Sequence, residues 1–130
     1  MQYSLIVRNA QNDAMAQTVG PAPTLEIRSG PTPARCDLAD TGMLIAVGTL
    51  PADWITQSVE GITQRNGQWQ AIGTDAAAAV PVGHFRIKSQ TVCCLQGTYG
   101  AGMEMIPDAG LIAPGQVVNI QQFQITRGNA

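Results

Sequence analysis

Two hydrophobic periods divide the chain. Over residues 4–19, Ile6, Val7, Ala10 and Ala14 fall on one helical stripe, Ser4 stands where an N-cap is needed, and Gly20-Pro21 ends the run. The spacing predicts a short N-terminal helix with a small, Ala-rich apolar face, lying on a larger body or starting as an arm. After Pro23 the period falls to two. Thr24-Leu25-Glu26-Ile27-Arg28 alternates with Leu25 and Ile27 inward, and Gly30-Pro31-Thr32-Pro33 stops it. Residues 31–41 read as a loop. Met43 to Val47 is continuously apolar, the pattern of a strand that is buried on both faces or lies centrally in its sheet. Residues 51–59 read as a short helix or an irregular loop anchored by Trp54.

Asn66-Gly67 lies between Ile62-Thr63-Gln64 and Trp69-Gln70-Ala71, which predicts a hairpin with a type I′ turn. The Ala76–Ala79 run is too short and too close to Pro81 to predict a helix. Residues 83–89 and 91–98 read as adjacent strands. Phe85 and Ile87 point one way; His84, Arg86 and Lys88 point the other, toward solvent. A short strand near Met103–Ile106, a turn at Pro107-Asp108-Ala109-Gly110 and a last strand over Gln116–Thr126 complete the chain. In that last strand Val118 and Ile120 share one parity, Phe123 and Ile125 the other. A β-bulge near Gln121-Gln122 would return all four to one face. The expectation is a mainly β protein: residues 1–23 as helix or arm, and residues 24–130 as one antiparallel β-sandwich, jelly-roll-like, of six to eight strands.

Composition narrows the function classes. Charged residues make up 12% of the 130 positions and the net charge is −2, so no electrostatic footprint for nucleic acid or an anionic membrane is expected. A surface poor in charge suits broad contact with other proteins. The three cysteines, Cys36, Cys93 and Cys94, are odd in number, which argues against a disulfide framework and for a reducing compartment. No basic stretch followed by a long apolar run opens the chain, so no leader is expected, and no apolar run has membrane-spanning length.

Candidate chemistry is sparse. His84 is the one histidine, and a nucleophile pair would require Cys93 or Cys94 to reach it across a neighbouring strand. One His and scattered Cys give no metal-ligand spacing, and the glycines form no phosphate-binding loop. Neither a catalytic residue nor a cofactor is expected. Two surface readings remain. His84, Arg86 and Lys88 are a candidate protein-contact face; Trp54 and Trp69 are expected first in core or hairpin packing and, as the alternative, are a candidate glycan platform.

Several short motifs carry a resemblance. They are Arg8-Asn9-Ala10 with Asp13-Ala14, the Leu-x-Ile-Arg-Ser-Gly run from Leu25 to Gly30, and Phe85-Arg86-Ile87-Lys88. Gln96-Gly97-Thr98-Tyr99-Gly100 and the Phe-x-Ile-Thr-Arg end from Phe123 to Arg127 follow. With these the chain resembles a group of small structural proteins of tailed bacteriophages, most of all the jelly-roll capsid decoration, or cement, proteins. The resemblance implies a non-enzymatic virion component, assembled in the host cytoplasm and bound to the capsid exterior. Its implied partners are the major capsid protein and further copies of itself as a dimer or trimer. Collar, tail or head-fibre placement, a carbohydrate-binding module and a small Cys/His hydrolase are the alternatives.

Overall fold

The computed structural model describes residues 1–108 and 110–127, with the backbone alone of residues 78 and 79. Helix α1 spans Leu5–Val19. The strands are β1 (Thr24–Ser29), β2 (Leu44–Thr49), β3 (Ile62–Gln64), β4 (Gln70–Gly73), β5 (Val82–Ser89), β6 (Val92–Thr98), β7 (Met105–Pro107) and β8 (Val117–Thr126). The protein is mainly β, with one antiparallel sheet in the order β3-β8-β4-β2-β1-β5-β6 and β7 paired to β8.

The sheet curls because its longest strand changes phase. Met105 pairs with Phe123 and Ile106 with Gln122, but Pro107 pairs with Ile120, so Gln121 is an extra residue. This is the bulge expected from the sequence, and it lets Val118, Ile120 and Phe123 all point into the core. The Gln121 carbonyl accepts from Arg65 Nε at 2.9 Å. At the other end of the sheet, the Gly100 N–H donates to the Met105 carbonyl (2.9 Å) and Tyr99 bridges Met105. The exit of β6 is thereby stitched to β7, and β7 to β8, so the sheet curls back toward its own beginning. The enclosed core is aromatic. Trp69 lies between Trp54 and Phe123 at centroid distances of 5.9 and 5.0 Å, and Phe85 meets Phe123 edge-on at 5.7 Å.

The structure departs from the sequence expectations at several places. Asn66-Gly67 does not make a hairpin. Ile62 faces Thr126 and Ile72 faces Val117, so β3 and β4 are two halves of one interrupted strand along β8. Gly67 has φ 73°, but Asn66 is not in the positive-φ region, and a type I′ turn needs both. The Asn66 N–H instead donates to the Trp54 carbonyl at 2.8 Å and its side chain to the Asp53 carbonyl at 3.0 Å. The chain bulges rather than reverses because β8 offers both halves a partner, while Trp69 Nε1 also reaches the Trp54 carbonyl (2.9 Å). Trp54 indeed anchors the 51–59 segment, which is irregular. In β2, Ile45 and Ala46 are buried, but Val47 and, just before the strand, Met43 are exposed, since among the described residues nothing covers the outer face there. Asp75–Ala79 forms a 3₁₀ helix where no helix was expected. Of the 107–110 turn, Ala109 lies outside the described residues; Asp108 accepts from the Asn119 N–H at 3.0 Å.

Helix α1 matches its expected span and Ser4 cap, but not its expected face. Ile6 is 81% exposed, and Val7, Ala10 and Ala14 also face outward. The docked side is a polar spine. Asn12 Nδ2 donates to Ser58 Oγ (3.1 Å) and the Gly61 carbonyl (2.9 Å), while Asn9 Oδ1 accepts from the Gly61 N–H (2.8 Å). Asp13 Oδ1 accepts from the Ser58 N–H (2.9 Å). Met15, Ala16 and Val19 add apolar contact with the core. The turn at 58–61 needs hydrogen-bond partners, and that need rather than the apolar stripe sets the rotation of the helix.

The aromatic core yields a direct expectation. Trp69→Ala removes the central ring and its hydrogen bond, and should lower unfolding stability by about 3–5 kcal/mol. Urea denaturation followed by far-UV circular dichroism measures the loss; an unchanged midpoint would show that Trp69 does not organise the core.

Candidate functional site

The alternation of β5 sends Phe85 and Ile87 into the core and His84, Arg86 and Lys88 to the opposite face. The same alternation on β1 places Glu26 and Arg28 beside them: Glu26 pairs with Arg86, and Arg28 with His84. On β6, Gln96 pairs with Arg86. Three cations, a carboxylate and an amide therefore share one sheet face.

That face is not in solvent. His84, Arg86 and Lys88 are 0%, 2% and 7% exposed, which corrects the expectation that they form a free contact face. The segment from Gly30 to Asp40 folds back over them. His84 Nδ1 donates to the Gly30 carbonyl (2.9 Å), and Gln96 Nε2 donates to the Pro33 carbonyl (2.8 Å). All three guanidinium nitrogens of Arg86 are engaged. Nη1 donates to the Leu38 carbonyl (3.0 Å) and Asp40 Oδ1 (2.8 Å), Nη2 to Gln96 Oε1 (2.9 Å) and the Arg35 carbonyl (3.4 Å), and Nε to Gln96 Oε1 (3.2 Å). Lys88 Nζ bonds Asp40 Oδ2 (2.7 Å) and Glu26 Oε1 (3.0 Å), while Arg28 pairs with Glu26 (2.9 Å) and Asp40 (3.3 Å). A disulfide between Cys36 and Cys93 ties the crest of the loop to β6. This corrects the expectation from the odd cysteine count: two cysteines pair and Cys94 is left as a free thiol. A close approach at the root completes the clamp, because a Cβ at Gly83 would overlap the Gly30 carbonyl.

The cluster is a structural clamp in its chemistry. Every Arg86 donor is satisfied by the protein, and a cavity of about 410 Å³ between loop and strands is lined by Asp40, Arg86, Lys88 and the disulfide. The Cys/His pairing does not form. Cys93 is oxidised, and Cys94 lies near the register of Lys88, several residues along β6 from Thr98, the partner of His84. At ~3.4 Å per residue this separation is roughly 10–14 Å. Trp54 and Trp69 are 2% and 0% exposed; both rings belong to the core, the use expected of them first, and the alternative glycan platform does not form. Among the described residues, no group of three or more His, Cys, Asp or Glu side chains is placed to hold a metal ion.

Two surface features remain. On the outer face of β2, β4 and β8, Val47 pairs with Ile72 and Ile72 with Val117. This cross-strand ladder is 36%, 52% and 48% exposed. The sequence reading missed it, although the continuous apolar character of β2 was its one signal: the strand does lie centrally in the sheet, as one of the two expectations had it, but it is not buried on both faces. The second is a cavity of about 310 Å³ between β6 and the end of β8. Comparison with known proteins finds no family model, no curated protein and no solved structure that matches this chain.

The clamp predicts an acid-sensitive loop. The Lys88 hydrogen bond, with help from Arg86 and the charge of Arg28, holds the Asp40 carboxyl below its ordinary value of 3.8, against the opposing effect of desolvation. A lowered folded-state pKa gives stability that is full above 3.8 and lost as pH falls through the folded value. Thermal melts of Asp40→Asn should therefore show a smaller drop in Tm below pH 4 than the parent, as an order-of-magnitude window. An equally steep drop would assign the acid sensitivity to other carboxyls. Arg86→Met should cost about 1–3 kcal/mol, because Gln96 Oε1 and the Leu38 and Arg35 carbonyls lose a donor while Asp40 keeps Lys88 and Arg28. Cys36→Ser, which opens a loop with a sequence separation of 57, should cost about 4 kcal/mol at most in the chain-entropy view. Guanidinium denaturation measures both, and a neutral Arg86→Met would remove the clamp reading.

Proposed function

We propose that this protein is a non-enzymatic assembly protein that binds the outside of a protein shell, in the manner of a phage capsid decoration protein. The observation that carries this reading is the Val47–Ile72–Val117 ladder. Three aliphatic side chains, paired across neighbouring strands and held on a rigid sheet, keep a substantial part of their area in water. Burying them against another protein recovers about 25 cal/mol per Å² of apolar area. Low surface charge adds to the case, since ion desolvation is then a small cost at the contact. The motif resemblance to phage structural proteins supplies the identity of the shell, and the β-rich fold fits it.

The mechanism is additive. Each copy binds the assembled lattice and not free subunits, and that differential affinity stabilises the lattice by mass action. The ladder lies on the same sheet face as the clamp, beside it, because Val47 pairs with Glu26 and Glu26 with Arg86, and its side chains are held by paired strands, so little ordering entropy is lost on binding.

Mixing the protein with undecorated mature capsids and counting bound copies tests the reading. Saturation at a stoichiometry matching the shell's symmetry is the expected result. Ile72→Asp, at an exposed position, should leave the melting temperature nearly unchanged and weaken binding at least ~100-fold, as expected for a hot-spot side chain. Failure of the parent to bind any phage shell would sink the proposal.

A further inference from the structure

The lane occupied by β7 continues beyond it as an unfilled slot. β7 lies between β8, which it pairs over Ile120–Phe123, and the exit of β6, which it meets through Tyr99 and Gly100. The chain enters this lane only at Glu104. Along β6, the Thr98 N–H points away from β5 and is held by Glu104 Oε1 at 3.3 Å. The two-residue period then places the N–H and C=O of Gln96 on the same open edge. Along β8, the Phe123 carbonyl and the Arg127 N–H bond toward the β3 side. The same period turns the N–H and C=O of Gln124 and Thr126 the other way, into the lane; the Gln124 N–H there meets the Glu104 carbonyl that closes the Met105–Phe123 pair, and Thr126 lies beyond it. Among the described residues no strand pairs either edge there. The cavity of about 310 Å³ fills the space between them, and its apolar floor includes Met15, Leu95, Phe85 and Phe123.

We propose that this slot is a docking groove for an extended segment of a different protein, which adds as a strand between β6 and β8 and completes the curl of the sheet. The open backbone groups of Gln96 on one edge and of Thr126 on the other are satisfied together by one extended backbone. The width suits a single strand because β7 already fills the same lane at one strand's thickness. The floor takes apolar side chains at alternate positions of the guest. Charge sets its direction. A guest running as β7 does, antiparallel to β8, starts beside Arg127 and ends beside Glu104, both exposed and both lining the slot. The guest is therefore acidic at its start, apolar-polar-apolar in the middle and basic at its end. This assignment does not depend on which protein meets the aliphatic ladder.

The probe is acetyl-Asp-Val-Thr-Val-Lys-amide, added to the ¹⁵N-labelled, disulfide-intact protein. At about 1 mM peptide, a concentration suited to weak strand addition, the Gln96 and Thr126 amide resonances should shift. Their hydrogen exchange should slow about tenfold or more. The same peptide with proline at its centre lacks one donor and should produce no shift. Arg127→Glu, at an exposed position, should fold and lose most of the response, because it sets a like charge against the peptide's Asp. Absence of shifts, or equal shifts with the proline peptide, overturns the proposal. Shifts at these amides that appear with protein concentration alone would give the slot to a second copy and overturn its assignment to a foreign segment.

Discussion

A buried guanidinium sets the terms for half of this molecule. Arg86 sits on a strand whose other face is the aromatic core, so its charge is fixed beside the core and away from bulk water. A charge in that position is tolerated only when its donors are met. The chain meets them by bringing a whole segment, Gly30 to Asp40, back across the sheet, with two backbone carbonyls and a carboxylate aimed at one side chain. Lys88, Arg28 and Glu26 neutralise the rest, and the Cys36–Cys93 bond holds the segment in register. The result is a sheet face that carries many charges and is nonetheless closed.

The opposite constraint acts at β8. Its inward residues change parity, and one extra residue at Gln121 reconciles them. The bulge bends the strand, the bend curls the sheet, and the curl carries β7 to the exit of β6. The strand that lines the other side of β8 is interrupted at 65–69, facing the same bulge. Curl and interruption have one cause: inward hydrophobic positions that a regular pleat cannot all bury. The curl stops short of sealing, and the slot between β6 and β8 is what remains.

These two constraints separate stability from contact. Over β1, β5 and β6 the outer face is occupied by the protein's own loop. Over β2, β4 and β8 the same face is open and carries the aliphatic ladder, and the edges that border the slot are open as well. Both are presented by rigid strands rather than by loops. A binding protein built this way loses little conformational entropy on association, which suits many identical copies acting in parallel.

How much of this is legible before folding depends on the range of the interaction. Local periodicity determined the helix span, the Leu25/Ile27 and Phe85/Ile87 core positions, the β6 partner of β5 and the bulge in β8. Each follows from which of two faces a side chain takes, and neighbours in sequence decide that. Alternation tells the two faces of a strand apart, but it does not say that the second face is wet. Burial of His84, Arg86 and Lys88 depends on a loop some fifty residues earlier in the chain. A companion pattern was present in Glu26 and Arg28, whose parity suits a charged neighbour, yet pairing of β1 with β5 is a tertiary fact. The Asn66-Gly67 dipeptide favours reversal by itself, and β8 overrode it by offering one continuous partner to both flanking strands. The sequence by itself determined which residues alternate and where the phase breaks. Only the tertiary structure decided which faces are covered, because cover comes from segments distant along the chain, and their arrival is governed by buried hydrogen-bond and charge demands that no local pattern records.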